Sequence, residues 1–188
     1  MQQNKRNLFI TLTLLILTSA LFRIVPGRPF GFEPMIAMAI FGGAVLQNKK
    51  LGFALPLFAM LISDSLFQLL TVKGYVNMPG FYEGQWLNYL LLAGITFFGI
   101  FMKRITVANV AIAAIAAPTV YFLLSNTGVW AMHGGWQRPI TGAGYIQALA
   151  DGLPFYKMSL ISTAFFSAAL FSLHAILKSS QAKRVAVA

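Results

Sequence analysis

The chain has 188 residues, 58% of them hydrophobic and only 10% charged, where an ordinary soluble domain carries roughly one quarter charged residues. With a mean hydropathy of +0.74, it reads as an integral membrane protein and excludes a soluble or disordered chain. Fourteen Lys and Arg against four acids give a formal charge of +10, but the basic residues sit in short clusters between apolar runs, a signature of membrane topology and not of nucleic-acid binding. The chain has no cysteine, so disulfides, thiolate metal sites and a Cys nucleophile are excluded.

At about 20 apolar residues per span, six transmembrane helices are predicted in a single domain covering 1–188, over 8–25, 34–48, 51–72, 85–102, 105–125 and 155–177. The first, NKRNLFITLTLLILTSALFRI, has the basic start and apolar run of a signal peptide without a clear small-x-small cleavage site. It is read as a retained signal anchor. With the N-terminus inside, Lys5, Arg6, Lys49, Lys50, Lys103, Arg104, Lys178, Lys183 and Arg184 fall on the cytoplasmic side and no acid does. An N-in, C-in orientation in a bacterial cytoplasmic membrane follows.

The links QNKK and KR are only a few residues long and force helices two and three, and four and five, into antiparallel hairpins. The outer links are longer. PGRPFGF cannot remain regular helix, KGYVNMPGFYEG is a turn-rich loop, and 126–154 is expected to be a long outer loop containing a short interfacial helix, GYIQALADG, ended by Gly152. Pro56 and Pro118 lie inside predicted helices and free backbone carbonyls, which predicts local kinks near a cavity.

Asp64 is the thirteenth residue of the helix starting at Leu51, which places it roughly 18 to 20 Å from the inner end. A carboxylate at that depth costs about 2.5 to 3.5 kcal/mol on insertion scales, so it must face the bundle or a wet cavity. Gln68 and Thr71 extend the same face outward. Two readings stand: Asp64 contacts a ligand or ion under an outward-facing cavity, or it pairs with Arg23 or caps a broken neighbouring helix. Glu33, just before Pro34, is favoured by the dipole of helix two and also lies with Arg23 at the outer mouth. Arg23 and Arg28 either hold an anionic group there or snorkel to the interface.

PMIAMAIFGGAVL, with Ala39 and Gly43 four apart, and AIAAIAAP, with Ala113 and Ala117, are read as close-packing faces; a docking face for another subunit is the rival. Asn126 and Trp130, in SNTGVW, either meet a flat ligand or belong to the interfacial aromatic belt, where Trp136 is placed. His133 and His174 fall on opposite sides and make no metal site, and no catalytic or nucleotide motif appears.

The stretch FEPMIAMAIFGGAVLQNKKLGFALPLFAMLISDSLF resembles the start of the substrate-binding S-components of energy-coupling factor (ECF) transporters: a Pro-led, small-residue helix, a short basic link and an apolar helix ending near an acid. With SNTGVWAMHGGWQRPITGAGYIQALADGLPFY, the chain is also similar to a family of uncharacterised small bacterial membrane proteins. Pro34, the small residues through Gly43, and Asp64 match the transporter side. Ser125, Asn126, Val129, Trp130, Gly152, Leu153, Pro154 and Phe155 match the uncharacterised family. Helix one departs from the transporter pattern in lacking the Ala-x-x-x-Ala face that meets a coupling subunit. The resemblance implies an all-α, S-component-like bundle of six helices that captures a vitamin-like nutrient from the outer side.

The expectation is therefore a non-enzymatic binding or transport protein with no cofactor and no nucleic-acid partner. Its substrate-binding residues are expected to be Asp64, Gln68, Asn126, Trp130, Arg23 and Glu33. The expected partners are the lipid bilayer, a small-molecule ligand and other membrane subunits, and the alternative is an accessory or structural subunit of a larger membrane complex.

Overall fold

The computed structural model describes residues 2–187, and the side chains of residues 6–180. Among the described residues the chain is all helical: α1 (Gln2–Arg23), α2 (Met35–Val45), α3 (Lys49–Val72), α4 (Trp86–Ile100), α5 (Val107–Ala131) and α6 (Gly142–Val187). Four segments are long and apolar enough to cross a membrane: Arg6–Arg23, Lys49–Val72, Val107–Ala131 and Gly142–Ser180. The remaining two helices, α2 and α4, are shorter. Large apolar side chains such as Phe9, Phe58, Ile112 and Phe165 face outward, an exterior compatible with lipid and unsuited to water.

The bundle is built around α2, which packs against α3, α4, α5 and α6. Nine of its eleven residues, Met35 to Gly43, are buried. Only 11 residues long, it rises about 16 Å, and its termini must find partners within the protein. Lys49 supplies the C-terminal one: its ammonium donates to the carbonyls of Gly43 at 2.8 Å and Leu46 at 3.1 Å. Asn48 caps α3 by accepting from the Lys50 N–H, and Thr106 caps α5 by accepting from Asn109 N–H.

Absent side chains set the spacing of the central helices. A Cβ on Gly42 would meet the backbone of Gly52 in α3, and one on Gly43 or Gly99 would enter the backbone of the other helix at the α2–α4 crossing. The packing role expected of Ala39 and Gly43 thus holds: Ala39 is fully buried, and Gly43 lies at the α2–α4 contact.

The helices alternate in direction, so the segments 24–34, 73–85 and 132–141 gather at one end of the bundle and the short basic links 46–48 and 101–106 at the other. Loop 24–34 is docked on α6. Gly31 has φ +80° and lies against the Phe155 carbonyl, where a Cβ would clash.

The segment 126–154 is corrected. Helix α5 continues to Ala131 and α6 begins at Gly142, so only 132–141 connects them and GYIQALADG is the opening of one 46-residue helix. Gly152 lies inside α6 and does not end a helix; its missing side chain makes room for the Asn126 carboxamide of α5, which a Cβ there would meet. Pro154 lies within α6 without ending it.

Candidate functional site

At the end where 24–34, 73–85 and 132–141 meet, Arg23, the last residue of α1, lies between two carboxylates. Its Nε donates to Glu33 Oε2 at 2.9 Å, and its Nη1 donates to Ser63 Oγ at 2.7 Å and to Asp64 Oδ1. The second Asp64 oxygen accepts from Gln85 Nε2 and from Tyr89 Oη, the latter at 2.6 Å. Asp64 is 1% exposed, and three donors on three elements meet its charge, as burial of a carboxylate requires. The Phe67 ring lies 5.8 Å from the Arg23 guanidinium carbon.

The face that Asp64, Gln68 and Thr71 share is covered by loop 73–85. Gln68 Oε1 accepts from the backbone N–H groups of Gly80 and Phe81, and Thr71 donates to the Met78 carbonyl at 2.5 Å. Gly80 sits directly on the α3 backbone at Asp64, where a Cβ has no room. The expectation that this stripe opens into an outward-facing cavity is therefore corrected: its polar atoms bind loop backbone and Arg23. The pairing of Asp64 with Arg23 is the reading that the geometry supplies.

The cavity lies one helix further across. It encloses about 440 Å³ and is walled by Glu33, Tyr82, Tyr121, Asn126, Tyr156 and Ser159, among others. Two helical stripes and residues from neighbouring elements converge on it. On α5, Pro118, Tyr121, Phe122, Ser125, Asn126 and Val129 follow helical spacing, and on α6 Gly152, Phe155, Tyr156 and Ser159 do the same. Glu33 comes from the end of loop 24–34, Ile36 from the start of α2, Asn88 from α4 and Tyr82 from loop 73–85. Of the two helix-interior prolines expected near a cavity, Pro118 lines it.

A hydrogen-bond chain fixes one wall. Tyr121 donates to Asn88 Oδ1 at 3.0 Å, and Asn88 Nδ2 donates to Tyr82 Oη at 2.7 Å. The Tyr82 hydroxyl thus accepts along the chain and keeps its own proton to donate. Burial pushes the Tyr82 phenol above its ordinary value, so it remains protonated at neutral pH. Opposite, Phe122 and Tyr156 stack with centroids 4.6 Å apart, and the Tyr156 hydroxyl pairs with Thr119 at 2.8 Å.

A second, outer cavity of about 280 Å³ adjoins the first, and Asn126, Val129, Gly152 and Phe155 line both. Trp130 and Trp136 belong to this vestibule. Trp130 packs on Tyr145 at 5.2 Å and donates to the Pro139 carbonyl, and Arg138 makes two hydrogen bonds to Asp151, at 2.8 and 3.0 Å, beside the Trp136 ring.

Of the six residues expected at the site, Glu33 and Asn126 line the inner cavity, Asn126 and Trp130 the vestibule, and Arg23 braces Glu33 from behind. Asp64 and Gln68 lie outside both linings. Sequence reasoning missed Tyr82, Asn88, Tyr121 and Tyr156. The spacing 118, 121, 122, 125, 126, 129 was a readable signal for the α5 wall, and 155, 156, 159 within the predicted sixth helix for most of the α6 wall, whereas Gly152 joins that wall only when 142–187 is one helix. Among the described residues no group of three or more His, Asp or Glu could hold a metal ion.

The fold and the cavity define a helical, apolar-surfaced protein with a mostly apolar, aromatic chamber at one end, into which a few polar groups converge. The chain belongs to DUF6580, a family of unknown function, whose family model matches residues 3–185. No curated protein and no solved structure matches it.

Proposed function

We propose that the protein captures a small organic molecule in the cavity between α2, α4, α5 and α6, acting as a binding or transport subunit of the S-component kind in a bacterial cytoplasmic membrane. The cavity carries this reading. Its volume of about 440 Å³ falls within the range of small-molecule sites, and convergent polar groups on a mostly apolar, aromatic wall are what such sites use to orient a ligand. The sequence resemblance to S-components and the position of the chamber at the end away from the basic links support it. In this reading all six helices span the bilayer, and α2 and α4 do so as short, protein-enclosed elements.

The test is equilibrium binding of a panel of vitamins and nucleobases to the purified full chain in lipid nanodiscs. Saturable one-to-one binding of a panel member is expected, weakened at least tenfold by Asn126→Ala and by Tyr121→Phe in protein that melts as the parent does. Absence of any binding, or binding indifferent to both substitutions, sinks the reading.

A second reading, an accessory subunit of a larger membrane complex, is favoured by one observation. The groove between α5 and α6 near the basic end includes Ala111, Ala114, Ala164, Ser167 and Ala168 in its lining, beside larger apolar residues such as Val110 and Phe171. A groove lined in part by small residues lets another helix approach closely. Co-purification of a defined subunit, lost on Ala164→Leu, would favour it.

A further inference from the structure

We infer that the inner cavity selects flat organic cations, an inference that rests on the small-molecule reading and specifies its ligand class. Three observations carry it. The first is the charge of the lining: Glu33 is the one charged side chain among the residues walling the inner cavity. It is held by Arg23 through Oε2 alone, and its side chain keeps 32% exposure, so Oε1 stays available to a ligand.

The second is the local charge balance. Arg23 is shared between Glu33 and Asp64, so the triad holds one guanidinium against two carboxylates and carries net negative charge. Asp64 is enclosed by Arg23, Gln85 and Tyr89, which leaves Glu33 as the carboxylate that faces the chamber. Among the described residues no cation besides Arg23 is bonded to Glu33. Arg28 donates to the carbonyls of Arg23, Pro29 and Phe32 and acts on Glu33 by its charge from outside the cavity lining, Arg138 is bound by Asp151 in the vestibule, and Lys73 and Lys157 are exposed. The positive end of α2 and Arg23 both favour an anion at position 33, so the carboxylate is kept in place without a ligand.

The third is the shape and electronics of the wall. Tyr82, Tyr121, Phe122, Phe155 and Tyr156 present aromatic rings around the chamber, and the Phe122–Tyr156 pair is nearly parallel, with 23° between planes. Ring faces attract cations and stack on flat groups. A planar cation placed here meets a carboxylate at the α2 end and ring faces along α5 and α6, while the free Tyr82 proton can serve an acceptor atom on the ligand. A flat anion meets the same rings with the Glu33 carboxylate and no cationic side chain among the lining residues.

The experiment uses the full chain in phosphatidylcholine nanodiscs, with empty discs subtracted, and three probes of one size: 1-methylquinolinium, quinoline and quinoline-2-carboxylate at neutral pH. The cation is expected to bind at least tenfold more tightly than neutral quinoline, and the carboxylate least. Glu33→Gln is expected to abolish the cation's advantage and leave quinoline unchanged, while Glu33→Asp retains it. Because the probe series on the unaltered chain already reads charge preference, the result does not depend on Glu33→Gln folding. Equal binding of all three probes overturns the cation assignment and leaves the cavity reading standing. Binding of none of them overturns the cation assignment, and the cavity reading is then decided by the vitamin and nucleobase panel.

Discussion

Arg23 and Asp64 form an ion pair in which neither partner can be lost cheaply. Asp64 is buried and Arg23 is bonded to both carboxylates. Truncating one member of a buried pair leaves an uncompensated charge, at a cost of about 3 to 5 kcal/mol. Asp64→Leu and Arg23→Met are each expected to lower thermal stability in detergent by an amount of this order. The double variant is expected to lose less than the sum of the two, because the pair is removed together. Additive losses would show that the pair is not coupled. The same geometry separates two roles that the sequence left joined. Asp64→Asn should act on stability, whereas Asn126→Ala, at the wall of both cavities, should act on ligand affinity with a smaller effect on melting.

At the scale of elements, the central crossing of α2 and α4 rests on Gly43 and Gly99, each against the backbone of the other helix. Backbone cannot yield as a flexible side chain can, so Gly99→Ala is expected to destabilise by more than about 2 kcal/mol through overpacking. Gly94, on the same helix, has open space where a Cβ would go, and Gly94→Ala should stabilise by about 0.5 to 1 kcal/mol because alanine restricts the unfolded chain. Paired melting curves of the two variants check the crossing, and equal shifts would contradict it. These two glycines also mark how far the sequence could be read. Helix existence was legible from apolar runs, and the α2 start from the Pro-led small residues. Which glycines face one another was not, because spacing on one helix does not fix the partner. Gly152 shows the converse: read alone it is a breaker, yet it lies opposite Asn126 in a close helix contact, so the real length of α6, and with it the contact between Gly152 and Asn126 at the cavity wall, stayed hidden.

For the whole molecule, the question is whether two short helices, α2 and α4, share the bilayer with the four long ones. α2 is protein-covered along nearly its whole length, and Lys49 satisfies its C-terminal carbonyls, so its span can be shorter than that of a lipid-exposed helix. Six spans then place Val25, Tyr75 and Trp136, all exposed, on one side of the membrane, and Lys50 and Lys103, likewise exposed, on the other. The absence of cysteine makes the test direct. Single cysteines at these five positions should react with a membrane-impermeant maleimide in intact cells at 25, 75 and 136, and only after permeabilisation at 50 and 103. The basic links at 46–48 and 101–106 favour the cytoplasm for the second group. Labelling of position 50 from outside would leave α2 as a re-entrant element, and the cavity floor formed by Ile36 would then belong to a four-span bundle with a different route of entry.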